Sequence, residues 1–266
     1  MNFGIAGKTA LVTGGSRGLG NACAVALGEE GCRVIVLARD EAGVDGAVKD
    51  LIDRGVDAHG VVSDLRDKGR LTSALRAINE EFGTPDIFVY NNGGAGDMYF
   101  DQASDEDFEE AYRVYVMGFA WCMRELLEPM KAKGWSRIVT LGSLCAKEPH
   151  KGYPMIMHNI GRAAQVGMNK TLSNMVGDNG MTMNIIGTGM IDHDGGSIAR
   201  AYEAHSFDMG MSREDIQKYR TKDIPVGRMG TREDIGAMCA FLCSNRAGFI
   251  NGQTILVDGG RVASLF

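Results

Sequence analysis

The sequence lacks the features that would place it in several large classes of protein. Five prolines are scattered through 266 residues, and none marks a linker, so one domain spanning residues 1–266 is the expected organisation. No unbroken apolar run reaches the roughly 18 residues that a membrane-spanning helix needs. Positive charge is in deficit, with 28 Lys and Arg against 34 Asp and Glu and a net charge of −6. That balance disfavours nucleic acid as a main partner, because binding phosphate takes a basic face. No CxxC pair occurs, and Cys239 and Cys243, one helical turn apart, have no histidine close by. Together with Cys23, Cys32, Cys122 and Cys145 they read as reduced thiols in a cytosolic core, so no metal site is expected. Residues 1–14 run straight into a strand with no signal-peptide pattern, and the expected location is the cytoplasm.

What is present is an alternation. Short runs rich in Val, Ile and Leu, at 8–13, 33–37, 58–62, 86–90, 137–141, 182–186 and 254–257, are bounded by Gly, Asp or Asn and read as strands. They are apolar on both faces, as buried parallel strands are. Helical patterns lie between them at 19–30, 43–54, 68–82, 104–133, 153–178 and 231–244. Strand–helix alternation implies right-handed crossovers, and so a doubly wound parallel sheet of about seven strands with helices on both faces. The mixed stretch 195–223 predicts a helical substrate flap at about 193–224.

Thr13-Gly14-Gly15-Ser16-Arg17-Gly18-Leu19-Gly20 follows the first strand and opens the first helix. Its glycines allow a tight turn and close backbone approach to a pyrophosphate, which the free N–H groups of the helix N-terminus then face. The residue after the second strand separates the two nicotinamide cofactors, since a carboxylate there would bond the ribose hydroxyls of NAD and repel a 2′-phosphate. Here Ala38-Arg39 occupies that edge, and Arg17 lies in the loop. Two guanidiniums suit a phosphate, which favours NADP, with NAD as the alternative because Asp40 follows at once.

With that loop, Asp64-Leu65 after the third strand, Asn91-Asn92-Gly93-Gly94 after the fourth, Pro225-Val226-Gly227-Arg228 and Asn251-Gly252-Gln253 near the end, the chain resembles the short-chain dehydrogenase/reductase family along nearly its whole length. The resemblance implies a Rossmann-type fold, a nicotinamide cofactor, a small-molecule substrate and a homo-oligomer, tetramer or dimer. It also implies that Asp64 and Leu65 lie at the adenine, that Asn92 and Gly93 border the adenosine ribose, and that the Ile191 backbone meets the nicotinamide amide.

The chemical end departs from the family pattern. The strand 137–141 leads to Ser143, where the family has its catalytic Ser, but His158 stands at the position of the catalytic Tyr and Arg162 at that of the Lys. Tyr115 replaces an Asn, and Thr188 a Pro. Residues four apart share a helix face, so His158 and Arg162 keep the geometry while changing the chemistry. Histidine exchanges protons near neutral pH, whereas a guanidinium does not give up its proton. Imidazole also stops roughly 2 Å short of the reach of a phenol, while proton transfer takes about 2.6–3.2 Å. Tyr115 is therefore expected to bring a phenol from the neighbouring helix into the space beside His158, with packing as the alternative. Ser143 is expected to bind an oxyanion. Tyr153 is a displaced-acid alternative, and His150 and His193 flank the cleft by position. Met155, Met157, Met168, Met175, Met181, Met183 and Met190 form either an adaptable apolar pocket or core. Three functions fit: an NAD(P)-dependent oxidoreductase acting on an alcohol or carbonyl, a redox-neutral lyase, dehydratase or epimerase, and a non-catalytic cofactor-binding subunit.

Overall fold

Seven parallel strands in the order β3-β2-β1-β4-β5-β6-β9 form the centre of a computed structural model that describes residues 2–149, 154–192, 212, 214–215, 218 and 221–265. Strands β1 (Thr9–Thr13), β2 (Arg33–Ala38), β3 (Ala58–Val62), β4 (Ile87–Tyr90), β5 (Ser136–Ser143), β6 (Met181–Thr188) and β9 (Thr254–Val257) match the apolar runs to within two residues. They alternate with α1 (Gly18–Glu29), α2 (Glu41–Asp53), α3 (Lys68–Phe82), α4 (Asp105–Tyr112), α5 (Gly118–Ala132), α6 (Ile156–Val176) and α7 (Arg232–Leu242). The order reverses between β1 and β4. Ligands of doubly wound sheets bind beyond the strand ends at such a switch point.

Alternation along the strands separates two cores. Ala10 and Val12 face Cys23 and Leu27 of α1, Leu51 of α2 and Ile235, Cys239 and Leu242 of α7. Leu11 faces the other side, with Leu71 and Leu75 of α3 and Phe119 and Leu126 of α5. All six cysteines are free and buried, as the sequence implies. Met181 and Met183 are buried in the second core and Met157 in a smaller cluster with Ala111, Tyr115 and Val116, so packing, not a substrate pocket, accounts for these three. Among the described residues no helix is long and apolar enough to cross a membrane.

Two local features differ from the sequence expectation. The helix expected over 104–133 is interrupted by a π-turn at Arg113–Met117. Such turns are rare and often sit at functional sites, because they break the carbonyl pattern of the helix. Here the carbonyl of Val114 accepts hydrogen bonds from the Tyr90 hydroxyl (2.9 Å) and the Asn92 amide (3.1 Å), which fixes the turn against the end of β4. The second feature is a pair of two-residue strands, β7 (Ile191–Asp192) and β8 (Gly230–Thr231), too short to leave a periodic signal. Tyr153, His150, His193 and most of the expected flap lie outside the described residues.

Candidate active site

The glycine loop has the shape its sequence predicts. Gly14 and Gly18 take positive φ angles of 57° and 60°, a region open chiefly to glycine. A Cβ at Gly20 would sit 2.3 Å from the Gly14 carbonyl oxygen, so α1 approaches the loop closer than any side chain allows. The loop is tied to β4, because the Asn91 amide donates to the Gly14 carbonyl (3.1 Å) and the Asn91 N–H donates to Thr13 Oγ1 (2.9 Å). Arg17 caps α1 in extended conformation without a side-chain cap bond, so the first N–H groups of the helix keep their donors for an anion.

Arg17 and Arg39 are exposed, and neither has an ion pair among the described residues. Asp40, which competes with them in the sequence, is occupied elsewhere. Its carboxylate accepts the Gly43 N–H (2.9 Å) as the N-cap of α2. Asp64 accepts the Arg66 N–H (3.0 Å) after β3, and Leu65 packs with the second core. Asn92 is turned inward to Val114, so Asn91 is the member of the pair that touches the glycine loop, a contact the sequence reading did not assign. Gly93 is exposed, and Ile191 is buried in register with Gly230. The chain thus offers a glycine cradle, a free helix N-terminus and two unpaired guanidiniums, which fit a dinucleotide carrying an additional phosphate.

Across the switch point, three of the four expected chemical residues meet. The Tyr115 hydroxyl lies 2.7 Å from Nδ1 of His158, and the guanidinium of Arg162 stacks 4.7 Å from the centre of the Tyr115 ring. The ring fits because residue 161 is glycine: a Cβ there would come within 2.2 Å of it. Gly94, at φ 72°, lets the loop after β4 pass the same pair, and a Cβ there would lie 3.1 Å from the imidazole and 3.2 Å from the phenol oxygen. The Arg162 guanidinium donates to the Leu141 carbonyl and to Gln165 Oε1 (3.0 Å), and its Nε has no protein partner. Ser143 stands at the end of β5, in register with Thr188, and accepts the Cys145 N–H (3.4 Å). It makes no hydrogen bond to His158, so it joins the group by position alone.

The phenol oxygen accepts the Ala95 N–H (3.2 Å), and burial pushes the Tyr115 pKa up, against the smaller opposing effect of the Arg162 charge. The phenol keeps its proton and lies 2.7 Å from Nδ1, and on the far side of the ring Nε2 lies 2.9 Å from Asp97 Oδ1. A phenol that donates to a neutral imidazole at Nδ1 leaves the ring proton on Nε2, facing that carboxylate. Tyr115 reaches from the neighbouring helix to the space beside His158, where the sequence reading expected its phenol. The residue is 0% exposed, with its ring enclosed by Gly161 and the Arg162 guanidinium. Asp97, Gly94 and Gly161 were missed by the sequence reading. Only Gly161 left a trace, as a glycine inside a helix where alanine would be about 1 kcal/mol better.

Known proteins resemble this chain along nearly its whole length. The profile described as enoyl-(acyl carrier protein) reductase matches residues 14–261. The chain is 31% identical over 260 residues to the 3-oxoacyl-(acyl-carrier-protein) reductase of Escherichia coli (strain K12), covering 98% of both. L-Sorbose reductase from Gluconobacter frateurii, solved with NADPH and L-sorbose, superposes with a TM-score of 0.93 at 28% identity over 100% of both chains. An actinorhodin polyketide ketoreductase variant with NADPH superposes with a TM-score of 0.90 at 27% identity, covering 97% of this chain and 98% of that one. The chain belongs to the short-chain dehydrogenase/reductase family of oxidoreductases.

Gly161→Ala is expected to displace the Tyr115 ring, at the roughly 1–3 kcal/mol typical of overpacking. Chemical denaturation should show that loss, and the Tyr115–His158 bond should lengthen in a crystal structure. Unchanged stability would mean that the ring is not held as described.

Proposed function

We propose that this protein is an NADPH-dependent carbonyl reductase in which Tyr115 supplies the proton and His158 delivers it. The observation that carries the reading is the 2.7 Å contact between the buried phenol and Nδ1, which supports a neutral imidazole with its proton on Nε2. Support for the cofactor comes from Arg17 and Arg39, which stand without carboxylate partners while Asp40 is engaged as a helix cap. The sorbose and polyketide reductases that superpose on this chain were solved with NADPH.

In this reading the glycine loop and the α1 N-terminus hold the pyrophosphate, and Arg17 and Arg39 hold the 2′-phosphate. The Arg162 Nε–H, buried and without a protein partner, turns to the cofactor's ribose. Asp64, Leu65, Asn92, Gly93 and the Ile191 backbone border the adenosine and the nicotinamide amide. NADPH, when bound, supplies the hydride for the carbonyl carbon. Ser143 offers its hydroxyl proton to the carbonyl oxygen as negative charge grows there. The Nε2–H of His158 then transfers to that oxygen while the Tyr115 hydroxyl passes its proton to Nδ1. The imidazole stays neutral, and the charge ends on a phenolate that faces the Ala95 N–H and the Arg162 guanidinium. Arg162 moves no proton. Its fixed charge lowers the energy of the phenolate, and a desolvated cation over a ring contributes about 2 kcal/mol. The substrate class follows the relatives: a ketose or a 3-oxoacyl thioester.

Purified protein should oxidise NADPH with L-sorbose or with a short 3-oxoacyl thioester. Tyr115→Phe and His158→Gln should each lower kcat by about 100-fold or more, the usual size of general-acid catalysis, with NADPH affinity retained. The double variant should fall no further than the worse single one, because the two residues act as one unit. Wild-type rates in either variant would defeat the relay. Arg39→Ala should raise the KM for NADPH by about 10-fold or more and leave that for NADH nearly unchanged, as expected for one lost charge-assisted hydrogen bond of about 1.5–3 kcal/mol. Equal changes for both cofactors would contradict the assignment.

A further inference from the structure

A relay that ends on a phenolate must be recharged before the next turnover, and the phenol itself has no path to water. Three side chains stand in line from the interior outwards. Tyr115 is 0% exposed, the His158 side chain 13% and the Asp97 side chain 31%. The two links between them are 2.7 Å and 2.9 Å, both within proton-transfer distance.

The other groups around the phenol cannot perform the exchange. Arg162 does not release a proton. Cys145, the remaining titratable neighbour of Tyr115 among the described residues, has its thiol pKa raised by burial and makes no hydrogen bond to the imidazole. Asp97 is the only acid bonded to His158 among the described residues. Its loop is also held in place, since Met98 bridges to Met155, three residues before His158, and Gly94 allows the chain to run against both rings. A carboxylate kept at 2.9 Å from Nε2 by two separate backbone devices is placed, not incidental.

We propose that Asp97 is the solvent-facing terminus of a proton wire that recharges Tyr115 through His158. The proposal rests on the carbonyl-reductase reading and adds the step that completes its cycle. After product forms, Tyr115 is a phenolate, Nδ1 carries the imidazole proton, and Nε2 is bare. Asp97 takes a proton from water and, as a carboxylic acid, gives it to Nε2. The Nδ1–H bond breaks as its proton returns to the phenolate oxygen. One O–H bond at Asp97 is exchanged for one N–H bond at Nε2, and one N–H bond at Nδ1 for one O–H bond at Tyr115. One solvent proton enters for each carbonyl reduced. The end state has Nε2–H donating to the carboxylate, which matches the 2.9 Å between Nε2 and Asp97 Oδ1. In the reactive complex the carbonyl oxygen takes the place of Asp97 as acceptor of that N–H. Asp97 is thus a proton-exchange residue that acts through His158 and does not touch the substrate.

The test is rapid-quench kinetics of Asp97→Asn with NADPH and whichever of L-sorbose or the 3-oxoacyl thioester the wild type reduces. Asparagine keeps an oxygen to accept the Nε2–H but cannot carry a proton across. The expected result is one product per site formed in a fast first phase, followed by a steady-state rate at least about 10-fold below wild type, within the range of general-acid effects. Formate or acetate buffer at fixed pH should restore the slow phase by supplying a diffusible acid, and Asp97→Glu should restore part of it. An undiminished steady-state rate would overturn the proposal. So would equal slowing of the first and later turnovers with no response to buffer, since Asp97 would then only position His158. Failure of the underlying reading gives a different signature: no NADPH oxidation by the wild type with either carbonyl, or wild-type rates in Tyr115→Phe and His158→Gln.

Discussion

The bond between the Tyr115 hydroxyl and Nδ1 of His158 decides what the chemical end of this protein can do. It ties the π-turn between α4 and α5 to the first turns of α6, and in the proposed reading it sets which imidazole nitrogen carries a proton. The partner on the far side of the ring is Asp97, 2.9 Å from Nε2. Every neighbouring adjustment serves the same contact. Gly161 vacates the volume of a methyl group, Gly94 bends the loop past the two rings, and Arg162 covers the face of the phenol. A phenol and a fixed cation stand in contact, the cation on α6 and the phenol on the π-turn beside it.

The nucleotide end follows a simpler logic. Two glycines at positive φ and one too close to a carbonyl to bear a side chain shape the loop, and the helix that follows presents uncapped donors. Asp40 lies next to Arg39, yet one of its oxygens accepts the Gly43 N–H at the N-terminus of α2. In the proposed reading that helix cap bears on cofactor choice at the adjacent residue.

The strands and the glycine loop were legible in the sequence because both carry local signals: runs of β-branched residues, and glycines at fixed intervals before a helix. His158 and Arg162 were singled out by the family resemblance, and their four-residue spacing gave the shared face of α6 from which both contact Tyr115. The π-turn was not, since one inserted residue leaves the apolar pattern of a long helix almost intact. The burial of Tyr115 was hidden for the same reason: the phase shift, together with Gly161, decides where the ring goes. Asp97 was invisible, as it lies in a loop 61 residues before its partner and has no periodic relation to it. The role of Asp40 needed the helix boundary, the feature that sequence patterns define least well.

The central claim is the proton assignment at His158, and nitrogen-15 NMR of the labelled imidazole measures it directly. With NADPH bound at neutral pH, Nε2 should carry the proton and Nδ1 should show the shift of an unprotonated acceptor. A proton resident on Nδ1 in that complex would reverse the direction of the relay and contradict the account.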